Sequence, residues 1–238
     1  MKIPAPPQLK KTANSWWQRF AGRVRNGLLA QEIIDRFSKM RLLCQPYIVT
    51  FEAHGLAPQT PTPAGCSLRL LTREDAKQMR AIGDRLGTEE QIRTDLETLR
   101  CYGAFRGPLL IGCTWVNLRS VPLIYRGGVL FEIQDDEAYL FNMHIDPAHR
   151  GLRVAPWLRA QVLAVLAAEG RVRCYSLSML GNRSSRIFKA RLGAQEREWR
   201  LSLHIGFGPL PGLDLRLSRR GAPLRTRMWH RRPAWSST

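Results

Sequence analysis

Apolar and polar positions alternate cleanly over 198–205, with Trp199, Leu201, Leu203 and Ile205 set against Glu198, Arg200, Ser202 and His204, the period of a half-buried strand. Apolar runs of strand length recur at 47–52, 68–71, 102–106, 109–118, 129–133, 137–145, 173–179 and 213–217. Gly107-Pro108 divides two of them into a hairpin, and Gln134-Asp135-Asp136 forms an acidic turn before another. Helices are expected where Thr72-Arg-Glu-Asp75 and Thr88-Glu-Glu-Gln91 put a hydroxyl at the start and a carboxylate or amide three residues on, the second helix running to about residue 100. A longer helix is expected over 154–169, with Pro156 in its first turn and Gly170 after its end, and a short one over 184–192 before Gly193. From residue 66 these elements make an α/β (α+β) chain in which helices cover a mixed sheet.

The ends differ from this middle. Trp16, Trp17, Phe20, Val24 and Leu28 share one helical face beside Arg19, Arg23 and Arg25, which makes 1–45 a basic, amphipathic helical extension. Ile33, Ile34, Phe37 and Met40 drift to another face, with Gly27 at the break. Two readings stand: the apolar face packs on the domain, or it lies at an anionic membrane surface. Residues 46–65 read as a strand followed by a linker rich in proline, 66–217 as the main domain, and 218–238 as a basic tail carrying Trp229 and Trp235.

Charge sharpens this division. The 238 residues carry a formal +18, yet 44% are hydrophobic, enough for a sizeable core. Residues 1–45 hold 9 basic and 2 acidic side chains, 215–238 hold 7 and none, and the stretch between holds 21 and 17. The excess therefore belongs to the ends, which argues against a nucleic-acid-tracking domain. No apolar run approaches the roughly 20 residues of a membrane-spanning helix. The first apolar cluster is broken by arginines, unlike a secretory signal. The expected location is the cytoplasm, with attachment at the inner membrane as the variant that the basic ends suggest. Cys44, Cys66, Cys101, Cys113 and Cys174 are odd in number with no C-x-x-C, and the five histidines are scattered, so neither a disulfide framework nor a metal site is expected. Serine-hydrolase and P-loop signatures are missing as well.

The informative stretch is 137–158, a strand ending in Ile145-Asp146-Pro147 and then a tight loop, Arg150-Gly151-Leu152-Arg153-Val154-Ala155, that opens into a helix. Unpaired amides at a helix start, backed by its dipole, form an anion cradle, and Arg150 and Arg153 add donors suited to phosphate. This loop resembles the Arg/Gln-x-x-Gly-x-Gly/Ala pattern of the GNAT family of acyl-CoA-dependent N-acyltransferases. Its first and last positions match, and Arg153 stands at the central glycine. A second segment, Asn182-Arg-Ser-Ser-Arg-Ile-Phe-Lys-Ala-Arg-Leu-Gly193, is similar to the family's Asn-led helix, and the resemblance spans roughly 66–208.

The resemblance implies a mostly antiparallel sheet whose strands 137–145 and 173–179 splay apart. Pantetheine would pair with backbone at Met143 and Ile145. The diphosphate would lie on Arg150, Gly151, Leu152, Arg153, Val154 and Ala155, and Asn182 would help hold the arm. The co-substrate is acetyl-CoA or another acyl-CoA, and an amine of unspecified identity attacks it directly in a ternary complex, with no metal. A strand amide stabilises the oxyanion, and the ammonium, whose pKa is near 10, needs a base. Alternation puts Glu137 on one face with Tyr139, Phe141, Met143 and Ile145, which makes it the first candidate base; a solvent-facing glutamate beside Asp135 and Asp136 is the competing reading. His144 falls on the opposite face and suits either a base or a structural role. Where the family often has an acidic tyrosine, an ungapped match gives Lys189, with Tyr139 and Tyr175 as substitutes. If the Arg153 position needs φ > 0, arginine is strained there; if not, its guanidinium reaches a CoA phosphate. Two other functions share the fold: an enzyme at a membrane surface using a long acyl chain or a lipid amine, and an inactive module binding nucleic acid or a protein through its ends.

Overall fold

The computed structural model describes residues 42–55, 60–83, 86–122, 129–205 and 213–218. The basic helix expected within 1–45 and the basic tail after Ser218 lie outside the described residues. Among the described residues no helix is long and apolar enough to cross a membrane.

Among the described residues ten strands form in chain order: β1 Leu42–Glu52, β2 Cys66–Leu70, β3 Arg100–Arg106, β4 Leu109–Asn117, β5 Ser120–Pro122, β6 Val129–Glu132, β7 Glu137–Ile145, β8 Arg173–Met179, β9 Gln195–Ile205 and β10 Leu213–Ser218. The helices are α1 Ala76–Ile82, α2 Glu89–Thr98, α3 Val154–Ala168 and α4 Arg183–Arg191. Eight strands make one sheet in the order β10-β9-β1-β8-β7-β4-β3-β2, antiparallel throughout except where β7 and β8 run parallel. β5 and β6 form a separate ribbon.

Each helix is set by local chemistry. The Thr88 hydroxyl accepts from the Gln91 amide at 3.2 Å, capping α2, while Thr72 N donates to Asp75 Oδ2 at 2.9 Å ahead of α1. Along α3 the buried Val154, Trp157, Leu158, Val162, Leu163 and Leu166 recur at helical spacing, giving one apolar face. That face meets Tyr102, Ala104, Ile111, Val116, Ala138, Leu140 and Ile145 of the sheet. The other side of the sheet is covered twice. Met79 and Ile82 of α1 and Ile92 of α2 pack on Cys101, Phe105, Cys113 and Trp115, and Val121 and Phe131 of the ribbon pack on Tyr47, Val49, Tyr139 and Tyr175.

The boundary expected at Cys66 is corrected by β1. Tyr47 to Glu52 is not a strand on a linker but part of an eleven-residue strand held between β8 and β9, antiparallel to both, with Tyr47 opposite Met179 and Ile48 opposite Trp199. The physical reason is that β8 and β9 run parallel, joined by α4, and leave between them a gap one strand wide that only a distant segment can fill. The linker also docks at its far end, where Trp157 Nε1 donates to Thr62 Oγ1 at 3.3 Å. The run at 129–133 forms β6 of the ribbon rather than a member of the main sheet.

Candidate acyl-CoA site

β7 and β8 pair only at Glu137/Arg173, Ala138/Cys174 and Tyr139/Tyr175. Beyond the last pair the two strands have no ladder between them, so the backbone of β7 from Leu140 onward borders an open wedge. The paired end is clamped. Arg173 donates to Asp136 Oδ1 at 2.7 Å, and Arg171 donates to the Glu137 carbonyl at 2.7 Å.

Glu137 belongs to that clamp. It is 8% exposed, accepts from Gln134 N at 3.0 Å and from the Tyr175 hydroxyl at 3.2 Å, and pairs with Arg173 at 3.2 Å. These contacts sit at the closed end of the wedge. Tyr139 is buried, stacked on Phe141 at 5.2 Å, and burial pushes its phenol well above the ordinary range. Burial does the same to Tyr175, with the neighbouring Glu137 carboxylate adding to it. Cys174 is a core thiol, pushed up to about 12 by burial.

The alternation expected along β7 fails at Asn142. Its φ is +48°, and the β4–β7 register shifts there: Trp115 faces Phe141, but Cys113 faces His144. One extra residue in the strand is a β-bulge, and it reverses the faces beyond it. Met143 and Ile145 therefore lie on the α3 side with Leu140, not with Glu137 and Tyr139. His144 turns instead to the α1 side, where its Nε2 is 2.8 Å from the Ile82 carbonyl. A carbonyl accepts only, so Nε2 donates to it, and Nδ1 has no partner among the described residues. His144 also lies against Gly83, where an added Cβ would come within 2.4 Å of the ring.

At the mouth of the wedge Asp146 accepts from Ala148 N at 3.0 Å and starts a single 3-10 turn, Pro147–His149. Arg150 Nε donates back to the Ile145 carbonyl at 3.3 Å, which ties the loop to the end of β7. Gly151 follows with φ +83°, and Arg153, the cap of α3, has φ +59° and ψ +15°. The left-handed conformation is thus kept at the position where the family pattern has glycine. Its consequence is that the N–H groups of Gly151, Leu152, Arg153, Val154 and Ala155 find no partner among the described residues. They gather at the positive end of a fifteen-residue helix, with the exposed Arg150 and Arg153 beside them. A row of free donors of this kind suits a diphosphate, and the edge of β7 at Met143 and Ile145, which faces no strand across the wedge, suits an amide-bearing arm. Arg153→Gly is expected to raise stability by about 1 kcal/mol through relief of the left-handed strain. It should also weaken binding of coenzyme A through loss of a guanidinium donor. Thermal unfolding and a CoA titration on the same variant check the opposite signs.

The second motif forms α4. Asn182 caps it, its Oδ1 accepting from Ser185 N and from the Ser184 hydroxyl, both at 3.1 Å. Lys189 lies on the sheet side, 4% exposed, and its Nζ donates to the Leu177 carbonyl at 2.9 Å and to Ser178 Oγ at 2.7 Å. Both acceptors are on β8 beyond its last pair with β7, so Lys189 covers the β8 wall of the wedge. Burial lowers its ammonium from 10.5 to about 7, against an opposing pull from Glu52. Between these two values the unfolded chain binds more protons than the folded one, so stability rises with pH in that window. The unfolding midpoint should accordingly climb between about pH 7 and about pH 9, and Lys189→Met should flatten the climb.

The wedge also brings together two residues that the sequence reading passed over. Arg159 of α3 and Glu52 of β1 are 3% and 2% exposed and stand 3.4 Å apart, beside Ser176, whose hydroxyl donates to Glu52. The signal was available. Arg159 falls three and four residues before Val162 and Leu163 on the buried stripe of α3, and Glu52 shares the alternating face of Ile48 and Thr50.

No protein-family model matches the chain, and no curated protein matches its sequence. Among solved structures it is similar to an acetyltransferase assigned to the GNAT family from Novosphingobium aromaticivorans, with a TM-score of 0.50, 20% identity, and 68% of this chain and 65% of that one covered. A conserved protein of unknown function from Staphylococcus epidermidis also matches at 0.50, with 5% identity and coverage of 69% and 63%. A PaiA N-acetyltransferase from Thermoplasma acidophilum, in complex with coenzyme A, matches at 0.42 with 13% identity over 53% of this chain and 87% of that one. The chain spans less than two thirds of the length of the first two. The likeness is one of fold: the sheet is GNAT-like, mixed and mostly antiparallel, with helices on both faces.

Proposed function

We propose that the chain is an acyltransferase that moves an acyl group from an acyl-coenzyme A thioester to an amine by direct attack. One observation carries the reading: the parting of β7 and β8 after Tyr139/Tyr175, with the free amides of 151–155 at its mouth. Diphosphate on those amides and pantetheine along β7 would set the thioester near the bulge at Asn142, where strand amides can donate to the developing oxyanion.

The acceptor would approach from the α1 side, where His144 offers its free Nδ1. In this reading His144 removes one proton from the attacking ammonium, the nitrogen–carbon bond forms, the carbon–sulfur bond breaks, the thiolate takes a proton from Lys189 on the β8 wall, and the second proton shed by the nitrogen returns to Lys189 through solvent. Glu137, held in the clamp, keeps the closed end together instead of acting as the base. His144→Gln is the discriminating variant, because a glutamine amide can still donate to the Ile82 carbonyl but offers no basic nitrogen. With acetyl-CoA and a panel of polyamines, aminoglycosides and peptide N-termini, it should bind CoA as the natural chain does and release thiol about 100-fold more slowly. An unchanged rate removes His144 from the mechanism, and no thiol release by the natural chain with any amine counts against acyl transfer.

A further inference from the structure

A buried polar row on the α3 side of β8 has a charge imbalance that the proposed reaction leaves unused. Cross-strand partners share a face, so Glu52, Cys174 and Ala138 form one row across β1, β8 and β7 at the closed end of the wedge. Thr50 with Ser176, then Ile48 with Ser178, follow toward the open end. Arg159 hangs over the first row from α3, and Lys189 over the last from α4. The β7 wall on this face is apolar: Ala138, Leu140, Met143 and Ile145.

Two cations thus share Glu52 in a place sheltered from water. The next carboxylate near Lys189 is Glu196, and it is already held by Arg186 at 2.7 Å. The Glu52–Arg159 contact is also imperfect. At 3.4 Å it is a charge contact without hydrogen-bond alignment, and Arg159 Nε, Arg159 Nη1 and Glu52 Oε2 are buried with no hydrogen-bond partner among the described residues. Buried donors of this kind are normally satisfied, and Nη1, which lies on the opposite side of the guanidinium from the Nε–H that faces Glu52, is left to donate to another acceptor. A second carboxylate would balance the two cations and accept from Nη1.

We propose that the β7/β8 wedge selects acyl groups ending in a carboxylate, the class of dicarboxylic acyl-CoA thioesters to which succinyl-CoA belongs, with Arg159 holding the terminal carboxylate at its closed end. This rests on the acyl-CoA reading above and narrows its donor. The depressed ammonium of Lys189 agrees with a shortage of negative charge in the row. Butyryl-CoA, which matches succinyl-CoA in chain length but lacks the charge, would leave Arg159 Nη1 unfilled.

The test is titration of the full chain with coenzyme A, butyryl-CoA and succinyl-CoA. Succinyl-CoA should bind at least about tenfold more tightly than butyryl-CoA, as expected for a charge-assisted pair replacing unfilled donors. In Glu52→Gln/Arg159→Met, which removes both buried charges together, the two thioesters should bind alike while coenzyme A itself is unaffected. Butyryl-CoA binding as well as succinyl-CoA to the natural chain overturns the proposal without needing any variant, and so does a preference that survives the double substitution. Failure of coenzyme A to bind at all strikes the acyl-CoA reading instead and takes this inference with it, so the two failures are told apart.

Discussion

Arg159→Leu should cost about 3–5 kcal/mol of stability, because it leaves Glu52 charged and buried with only the Ser176 hydroxyl as a donor. Glu52→Leu should cost about as much, for it strands the guanidinium next to Lys189. Replacing both with apolar residues of similar volume should recover most of the loss, since a buried pair gains little over hydrophobic packing once the cost of desolvating both charges is included. Denaturant unfolding of the two single variants and the double one gives the coupling directly. Additive losses would mean that the two groups do not depend on each other. A small loss for Arg159→Leu alone would mean that water reaches the cluster. Such a pair, whose geometry leaves donors idle, is poorly explained as a stabilising device, which is why a ligand role is the better account of its placement.

The elements themselves were legible because their signals are local. The hydrophobic stripe of α3, the cap at Thr88 and the turn at Gly107 each follow from residues within a few positions of one another. Strands 137–145 and 173–179 were read to the residue. The anion loop was legible for the same reason, as Arg150-Gly151 follows a strand and opens a helix.

Two features were out of reach. One is the place of β1. Its apolar run announces a strand, but the choice of β8 and β9 as neighbours depends on the gap they leave, a long-range property. The other is the bulge at Asn142. Nothing in Phe141-Asn142-Met143 breaks the alternation on paper, and asparagine tolerates φ > 0 without announcing it. The cost was a reversed assignment of faces for Met143, His144 and Ile145, the residues nearest the proposed chemistry. Arg153 shows the converse. The resemblance marked the position as one that favours glycine, and the backbone there is left-handed with arginine in it.

Gly151 carries the second large effect. Its φ of +83° is one that a β-branched side chain resists strongly, although nothing lies within 4 Å of where a Cβ would sit. Gly151→Val therefore meets no clash. Its cost lies in the backbone, which must leave the left-handed region and swing the amides of Leu152 and Arg153 out of line. The fold should hold, because this loop is exposed and outside the core, while the row of donors for a diphosphate is broken.

The most direct measurement is calorimetric titration of acetyl-CoA into the full chain and into Gly151→Val at equal salt. A single site of micromolar affinity in the first, weakened by at least about tenfold in the second, is the expected outcome. No heat with the natural chain, or equal binding by both proteins, would contradict the assignment of the β7/β8 wedge and its loop as the place where the thioester is held.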